Sequence, residues 1–321
     1  MKKIRAFDVL GNIAIVNFND FARSPCPPAR QRLRRGQKIA SRSCSNKKIS
    51  IKEKKKFAQE LLKRHNNIKT VLEKKGKVRG RLRKISTRHL AGEKSKEVLY
   101  NENGCVFRFN IDTTYFSPRL SNERKEIASK IKSGESVLVM FAGVAPFSIV
   151  IAKKSGARVV SNEINREANK YAKLNVELNH LKNRVEVVAG DVKRVVGKWK
   201  KMHSQVRGMD GSKQTSSSFS QFLINDKSIR AKRGNLPKFD VIVMPRPRLK
   251  DTFLEQAFKL SKKGTRIYYY DFCKEGEEKL IVEKIKQEAK KFRKKVKILK
   301  TKTAGEIAPY KIRVRVDIRV L

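Results

Sequence analysis

The chain has 321 residues, 78 of them Lys or Arg against 30 Asp or Glu, which gives a formal net charge of +48. So large an excess calls for a polyanionic partner, a nucleic acid first of all, although a basic proteome would also raise it. A hydrophobic fraction of 39% is adequate for a core, no apolar run reaches the length of a membrane span, and the N-terminus lacks a signal-peptide core. Cys26, Cys44, Cys105 and Cys273 lie too far apart for a zinc site or a dense disulfide frame, so free thiols in a reducing cytoplasm are expected and no metal is implied.

Phe7 to Val16 predicts a hairpin, two apolar runs around a Leu10-Gly11-Asn12 turn. From Arg23 to Arg64 the chain carries 15 basic and 2 acidic residues. Its first part (21–50) is expected to be a basic loop, either an extra RNA-binding arm or a solvated segment. Ala58, Leu61 and Leu62 then recur at helical spacing, predicting a helix through Leu62. These elements make a small α+β domain over 1–75. Residues 76–115 are expected to form a β-rich connecting subdomain, in which Val106 to Ile111 alternates clearly.

From 116 to 321 the pattern is α/β. A helix from Ser121 through Ile131 ends at Gly134, and the continuous apolar run Val137 to Phe141 suits a strand buried on both faces. A helix over Ser148–Lys154, a strand over Arg158–Asn162, a helix over Arg166–Leu178 and a strand over Val185–Val188 follow. A polar insertion (203–237) holds seven serines in 35 residues. The alternation resumes with a strand (Phe239–Met244), a helix (Thr252–Leu260) and a strand (Arg266–Tyr270). The last strands, Val296–Leu299 and Arg313–Val320, would add an antiparallel edge. The expected fold is a doubly wound, Rossmann-like parallel sheet.

In such a sheet ligands bind beyond the carboxyl ends of the strands. Three features coincide there: the turn Phe141-Ala142-Gly143-Val144, where Gly143 allows close backbone approach; Glu163, suited to accept both ribose hydroxyls; and Asp191, suited to accept from an adenine amino group. Each alone is more often an ordinary turn or a solvated acid. Together, and without a G-x-G-x-x-G pattern, they favour an adenosyl ligand over a dinucleotide.

The run Asn103-Gly104-Cys105, then Tyr115-Phe116-Ser117-Pro118-Arg119-Leu120, Glu123-Arg124 and Met140-Phe141-Ala142-Gly143-Val144, resembles the archaeal and eukaryotic tRNA (guanine-37) N1-methyltransferases, a class I family. The opening Phe7 to Val16, Ile68 to Leu72, Leu90 to Glu93 and Ile267 to Tyr270 are similar to that family as well. The resemblance implies S-adenosyl-L-methionine as cofactor, held by Phe141, Ala142, Gly143, Val144, Glu163, Ile164, Asp191, Val192 and Met244. It implies tRNA as partner, without a membrane, for a cytoplasmic monomer. It makes Glu123 the general base and Arg83 the group that meets charge on guanine O6, with Tyr115, Arg119, Arg124 and Pro245 at the target nucleotide. Read alone, Glu123 is an exposed helix acid paired one turn on, and Arg83 an RNA-backbone contact.

Three places depart from the family's pattern: Val139 stands where an Asp is usual, Ala145 where a second Gly is, and Met244-Pro245-Arg246-Pro247 where many members carry an Asn-Leu-Pro or Pro-Leu-Pro core. Pro245 offers only a rigid carbonyl. Two other readings stand beside methylation of guanine-37: a wyosine-pathway activity on the same nucleotide, by second methylation or aminocarboxypropyl transfer, and a catalytically silent tRNA-binding protein.

Overall fold

The computed structural model describes residues 7–18, 49–80, 82, 84–205, 236–245 and 251–321. Arg83, nearly all of the basic loop and most of the Ser-rich insertion lie outside them. The chain folds as two units, residues 1–100 with 110–112, and residues 101–109 with 113–321.

In the first unit, β1 (Phe7–Leu10) and β2 (Ile13–Val16) form the antiparallel hairpin. Helix α1 (Ile51–Arg64) begins on a capping box: Ser50 Oγ accepts from the Glu53 N–H at 3.2 Å, and Glu53 Oε2 accepts from the Ser50 N–H at 2.8 Å. Strands β3 (Thr70–Arg79) and β4 (Lys84–Gly92) complete a sheet of order β1-β2-β3-β4. Val16, Ala58, Leu61, Val71 and Leu90 form its core. The boundary expected at residue 75 is corrected here, because β3 crosses it while paired to β2 on one side and β4 on the other. Dividing the chain there would leave two rows of backbone groups unpaired.

Gly11 holds the hairpin turn at φ +55°, and a Cβ placed on it would lie 1.8 Å from the Leu99 carbonyl oxygen. Gly11→Ala is expected to destabilise this unit by at least ~1–2 kcal/mol from the left-handed backbone alone, with the steric clash added. Denaturant unfolding of the variant measures it.

Strands β5 (Glu97–Glu102) and β6 (Cys105–Asn110) form a two-stranded ribbon through which the chain passes from one unit to the other. In the second unit a short 3-10 turn (Pro118–Leu120) leads into α2 (Ser121–Ser129). A seven-stranded sheet follows: β7 (Ser136–Met140), β8 (Arg158–Glu163), β9 (Val185–Ala189), β10 (Phe239–Met244), β11 (Ser261–Lys274), β12 (Val296–Ala308) and β13 (Lys311–Val320). Its order is β12-β13-β11-β10-β7-β8-β9. β9, β8, β7, β10 and β11 run parallel, and β13 is antiparallel to both β11 and β12.

The intervening helices are α3 (Pro146–Ser155), α4 (Arg166–Leu178), α5 (Val192–Gln205), α6 (Leu254–Lys259) and α7 (Glu278–Lys291). Residues from α5, α6 and α7 pack with Leu138, Met140, Ile242, Ile267 and Val316 into one continuous core. The chain leaves β7 toward β8 and β9, then returns to β10 on its other side, so the switch in strand order lies between β7 and β10. Asn175 of α4 and Asn179, which caps its C-terminus, each both donate to and accept from one residue of β6, Arg108 and Val106 respectively. Their amides stand in for a neighbouring strand. Among the described residues no helix is long and apolar enough to cross a membrane.

Candidate active site

The ends of β7, β8 and β9 are tied together by two side chains. Asn162 Nδ2 donates to the carbonyls of Val188 (3.0 Å) and Gly190 (3.1 Å), and the Ala142 N–H donates to the Asn162 carbonyl at 2.9 Å. The buried Glu163 carboxylate accepts from the N–H groups of Gly143 (2.8 Å), Ile164 (2.9 Å) and Asn165 (2.8 Å). A carboxylate offers about four acceptor sites. Three are taken, so Glu163 retains one, on Oε2, rather than the pair expected for both ribose hydroxyls. Asp191 Oδ1 accepts from the Lys193 N–H at 2.9 Å, in the first turn of α5.

The turn after β7 carries positive φ at Phe141 (58°), Gly143 (60°) and Ala145 (66°). Only one of the three is glycine, so the loop holds left-handed conformations that side chains resist, and such strain gathers at ligand sites. Gly143 also runs close to the chain, since a Cβ there would meet the Tyr115 carbonyl at 3.4 Å. The Phe141 ring meets Phe253 edge-on with centroids 5.0 Å apart, and Lys193, ion-paired with Asp251, lies over the Phe253 ring. The site therefore offers carboxylate acceptors, backbone groups and an aromatic ring, with its nearby lysine already paired. It suits a hydroxyl- and amino-bearing adenosyl group better than phosphates. Ala142 and Val144 are buried in this turn, Val192 and Met244 are buried in the core, and Ile164 is half-buried. Val139 is wholly buried between Ser161 of β8 and Val243 of β10.

Glu123 is the largest departure from the sequence reading. It is 5% exposed, and its partners come from distant strands rather than from one turn along its helix. Its Oε2 accepts from the Tyr270 hydroxyl (2.9 Å) and Arg315 Nη1 (2.6 Å), and its Oε1 from Lys302 Nζ (2.9 Å). Arg315, wholly buried, also donates to Glu126 (2.7 Å) and Asp317 (2.7 Å). Lys302 bridges to Glu126, as does Lys130, which also reaches Asp317. Three carboxylates thus face three cations over the β11–β13–β12 side of the sheet. The Arg315 hydrogen bond holds the Glu126 carboxyl well below the usual carboxylate range, and burial drives the Tyr270 hydroxyl well above the usual phenol. Tyr270 stays a neutral donor. Its ring meets Phe147, in the first turn of α3 after the Phe141–Ala145 loop, at 6.2 Å.

Arg124 is a correction. It is 1% exposed, forms a bidentate pair with Glu102, donates to the Ser117 carbonyl at 3.0 Å and stacks over the rings of Phe116 and Phe147. Its guanidinium is committed inside the protein and holds the Tyr115–Leu120 segment rather than meeting a nucleotide. Arg119 is exposed, and Tyr115 and Pro245 are half-buried. Sequence reasoning gave no role to Tyr270, Glu126, Lys302, Arg315, Asp317, Glu102 or Phe253. The one available signal was the charged alternation Arg313-Val314-Arg315-Val316-Asp317 inside an otherwise apolar strand. Among the described cysteines, Cys105 and Cys273 are free, and burial pushes the Cys105 thiol up to about 11.

Residues 98–217 match the TRM5/TYW2 methyltransferase domain. The chain is 32% identical over 283 residues to the tRNA (guanine(37)-N(1))/4-demethylwyosine(37)-methyltransferase Taw22 of Nanoarchaeum equitans, spanning 83% of this chain and 93% of that one. It is 31% identical over 267 residues to the tRNA (guanine(37)-N(1))-methyltransferase Trm5b of Pyrococcus abyssi, covering 83% of this chain and 68% of the relative. The crystal structure of Trm5b from Pyrococcus abyssi superposes with a TM-score of 0.68 at 28% identity, covering 99% of this chain and 75% of that one. An archaeal Trm5 in complex with tRNALeu shares the fold, with a TM-score of 0.66 at 23% identity over 98% of this chain and 72% of that one. With its class I methyltransferase sheet and its Phe141–Ala145 turn, the chain belongs to the archaeal and eukaryotic tRNA (guanine-37) N1-methyltransferase family.

Proposed function

We propose that this protein methylates N1 of the guanine 3′ of the anticodon, position 37, in tRNA, with S-adenosyl-L-methionine as donor. The observation that carries the reading is the Glu123 carboxylate, fixed through Oε2 by two buried donors and covered at Oε1 by the partly exposed Lys302. S-adenosylmethionine would supply a methyl group on a sulfonium centre. Glu163 and Asp191 would hold its adenosyl part, and the Phe141–Val144 backbone would border it.

Guanine N1 carries a proton near neutral pH, so its alkylation requires a base at that atom. Glu123 is suited to take it. Tyr270 and Arg315 fix the carboxylate plane, and Lys302, 37% exposed by side chain and paired also to Glu126, can leave Oε1 without losing its own counter-charge. Charge then moves onto O6, where Arg83 is the proposed partner. Exposed Arg119 is suited to a neighbouring phosphate, and half-buried Tyr115 to the displaced base. The names of the two relatives support the same substrate.

Transfer of labelled methyl from S-adenosylmethionine to unmodified tRNA transcripts tests the reading. Label on guanine-37, absent from a transcript with adenine there, is the expected result, and no label on either transcript would refute it. Taw22 is named for 4-demethylwyosine as well as guanine, which favours one second reading, methylation of that later base. The same assay on tRNA carrying 4-demethylwyosine decides it. Glu163→Gln sets an NH2 group against one of three backbone N–H donors. It is expected to weaken S-adenosylmethionine binding roughly 10- to 100-fold, the scale of a lost charge-assisted hydrogen bond, measured by calorimetry.

A further inference from the structure

β11, β13 and β12 continue well past the other parallel strands. β10 ends at Met244, level with Tyr269, whereas β11 runs five residues further to Lys274, paired throughout with β13. At about 3.3 Å per residue the three strands stand roughly 15 Å proud of the sheet. They do so at the carboxyl end of β10 and β11, where α/β sheets bind their ligands.

The crest of this wall is the two-residue turn Pro309-Tyr310 between Ala308 of β12 and Lys311 of β13. Tyr310 there is 81% exposed, the most exposed of the large hydrophobic residues described, with Ile307 beside it at 38%. It also has φ +59°. Pro followed by a residue of positive φ is the pattern of a type II turn, whose third position favours Gly or Asn. An aromatic residue there sacrifices both solvation and backbone ease: Tyr310 is held at its carbonyl, which accepts from the Glu275 N–H at 3.2 Å, while the residue is left 81% exposed. Lys274 and Lys311 face one another across the same end of the ladder, and Lys300 lies on β12 below it. Glu275, Glu277, Glu278 and Glu306 are the acids nearby, and Glu277 accepts from the Lys274 N–H at 3.1 Å. A protruding ring flanked by Lys274 and Lys311 fits an unstacked base of single-stranded RNA, whose π-face stacks on the ring and whose phosphates pair with lysine.

We infer that Tyr310 is a stacking platform for a base of the tRNA anticodon loop, a reading that rests on the proposed tRNA substrate. The ring supplies the contact, so Tyr310→Phe keeps it and Tyr310→Gly removes it. Glycine also relaxes the turn, so the Gly variant should melt no lower than the wild type and bind S-adenosylmethionine equally well. Its affinity for a tRNA transcript should fall about 5- to 100-fold, the effect of losing one base–aromatic stack, with the salt slope of binding unchanged because no charge is removed. A 2-aminopurine placed in the anticodon loop should lose its binding-induced fluorescence change in the Gly variant and keep it in the Phe variant.

Equal tRNA affinity of wild type and Tyr310→Gly would overturn the inference and leave the methylation reading standing. Equal weakening by Phe and Gly would overturn stacking as the mechanism. A wild type that neither binds nor methylates tRNA would instead overturn the substrate reading itself.

Discussion

Glu123→Gln is expected to slow methyl transfer to unmodified tRNA roughly 100- to 10,000-fold, the range for a positioned general base, with cofactor binding intact. An amide cannot take up the N1 proton, yet it is isosteric and still accepts from Tyr270 and Arg315. The fold should tolerate the change because Arg315 keeps Glu126 and Asp317, each at 2.7 Å, and Lys302 keeps Glu126. Glu126→Gln is the matched control. It removes the same unit of charge from the same network, and it takes a charged partner from Arg315, Lys302 and Lys130, but it leaves the Glu123 carboxylate in place. Single-turnover rates with saturating tRNA should therefore drop steeply in the first variant and modestly in the second. Equal losses in the two would make Glu123 a structural member of an ion-pair cluster and remove the base from the mechanism.

That network also marks where sequence reasoning stopped. The strand–helix alternation was legible because a parallel sheet buried on both faces leaves continuous apolar runs, and β7 (Ser136-Val137-Leu138-Val139-Met140) is buried at all five positions. The turn after it was legible because Gly143 and the acids Glu163 and Asp191 stand at consecutive strand ends. The charged face of β13 was not. Alternation of Arg313, Arg315 and Asp317 with Ile312, Val314 and Val316 ordinarily predicts a strand with one wet side, yet all six are under 9% exposed. Arg315 is covered by Glu123 and Glu126 of α2, and Glu123 meets it across 192 positions of sequence. No local period encodes a pairing of that range. The boundary expected at residue 75 failed for a related reason: β3 is defined by its two pairing partners, and its own sequence Thr70-Val71-Leu72-Glu73-Lys74-Lys75 gives no sign that the strand continues.

The second large effect lies in stability. Arg124→Ala is expected to destabilise the protein by about 3–5 kcal/mol, the cost of stranding one member of a buried ion pair. The uncompensated group is Glu102, whose carboxylate is 3% exposed and has the guanidinium on both oxygens. The same substitution strips the Phe116 and Phe147 rings of the cation stacked 5.1 and 5.7 Å from their centroids, and leaves the Ser117 carbonyl without its donor. Lysine should not rescue it, because a single ammonium can neither make the bidentate contact nor stack. The double variant Glu102→Leu with Arg124→Met should recover most of the loss, since a buried pair replaced by apolar groups of similar volume is close to neutral. Urea unfolding of the two singles and the double makes a complete cycle. A coupling energy near zero would mean that Arg124 acts through its stacking and the Ser117 carbonyl rather than through Glu102. A strong coupling, with methyl transfer still reduced in the stable double variant, would separate the two tasks of this residue: the charge pair holds the fold, and the Nη2 hydrogen bond to the Ser117 carbonyl holds the Tyr115–Leu120 segment that leads into Glu123.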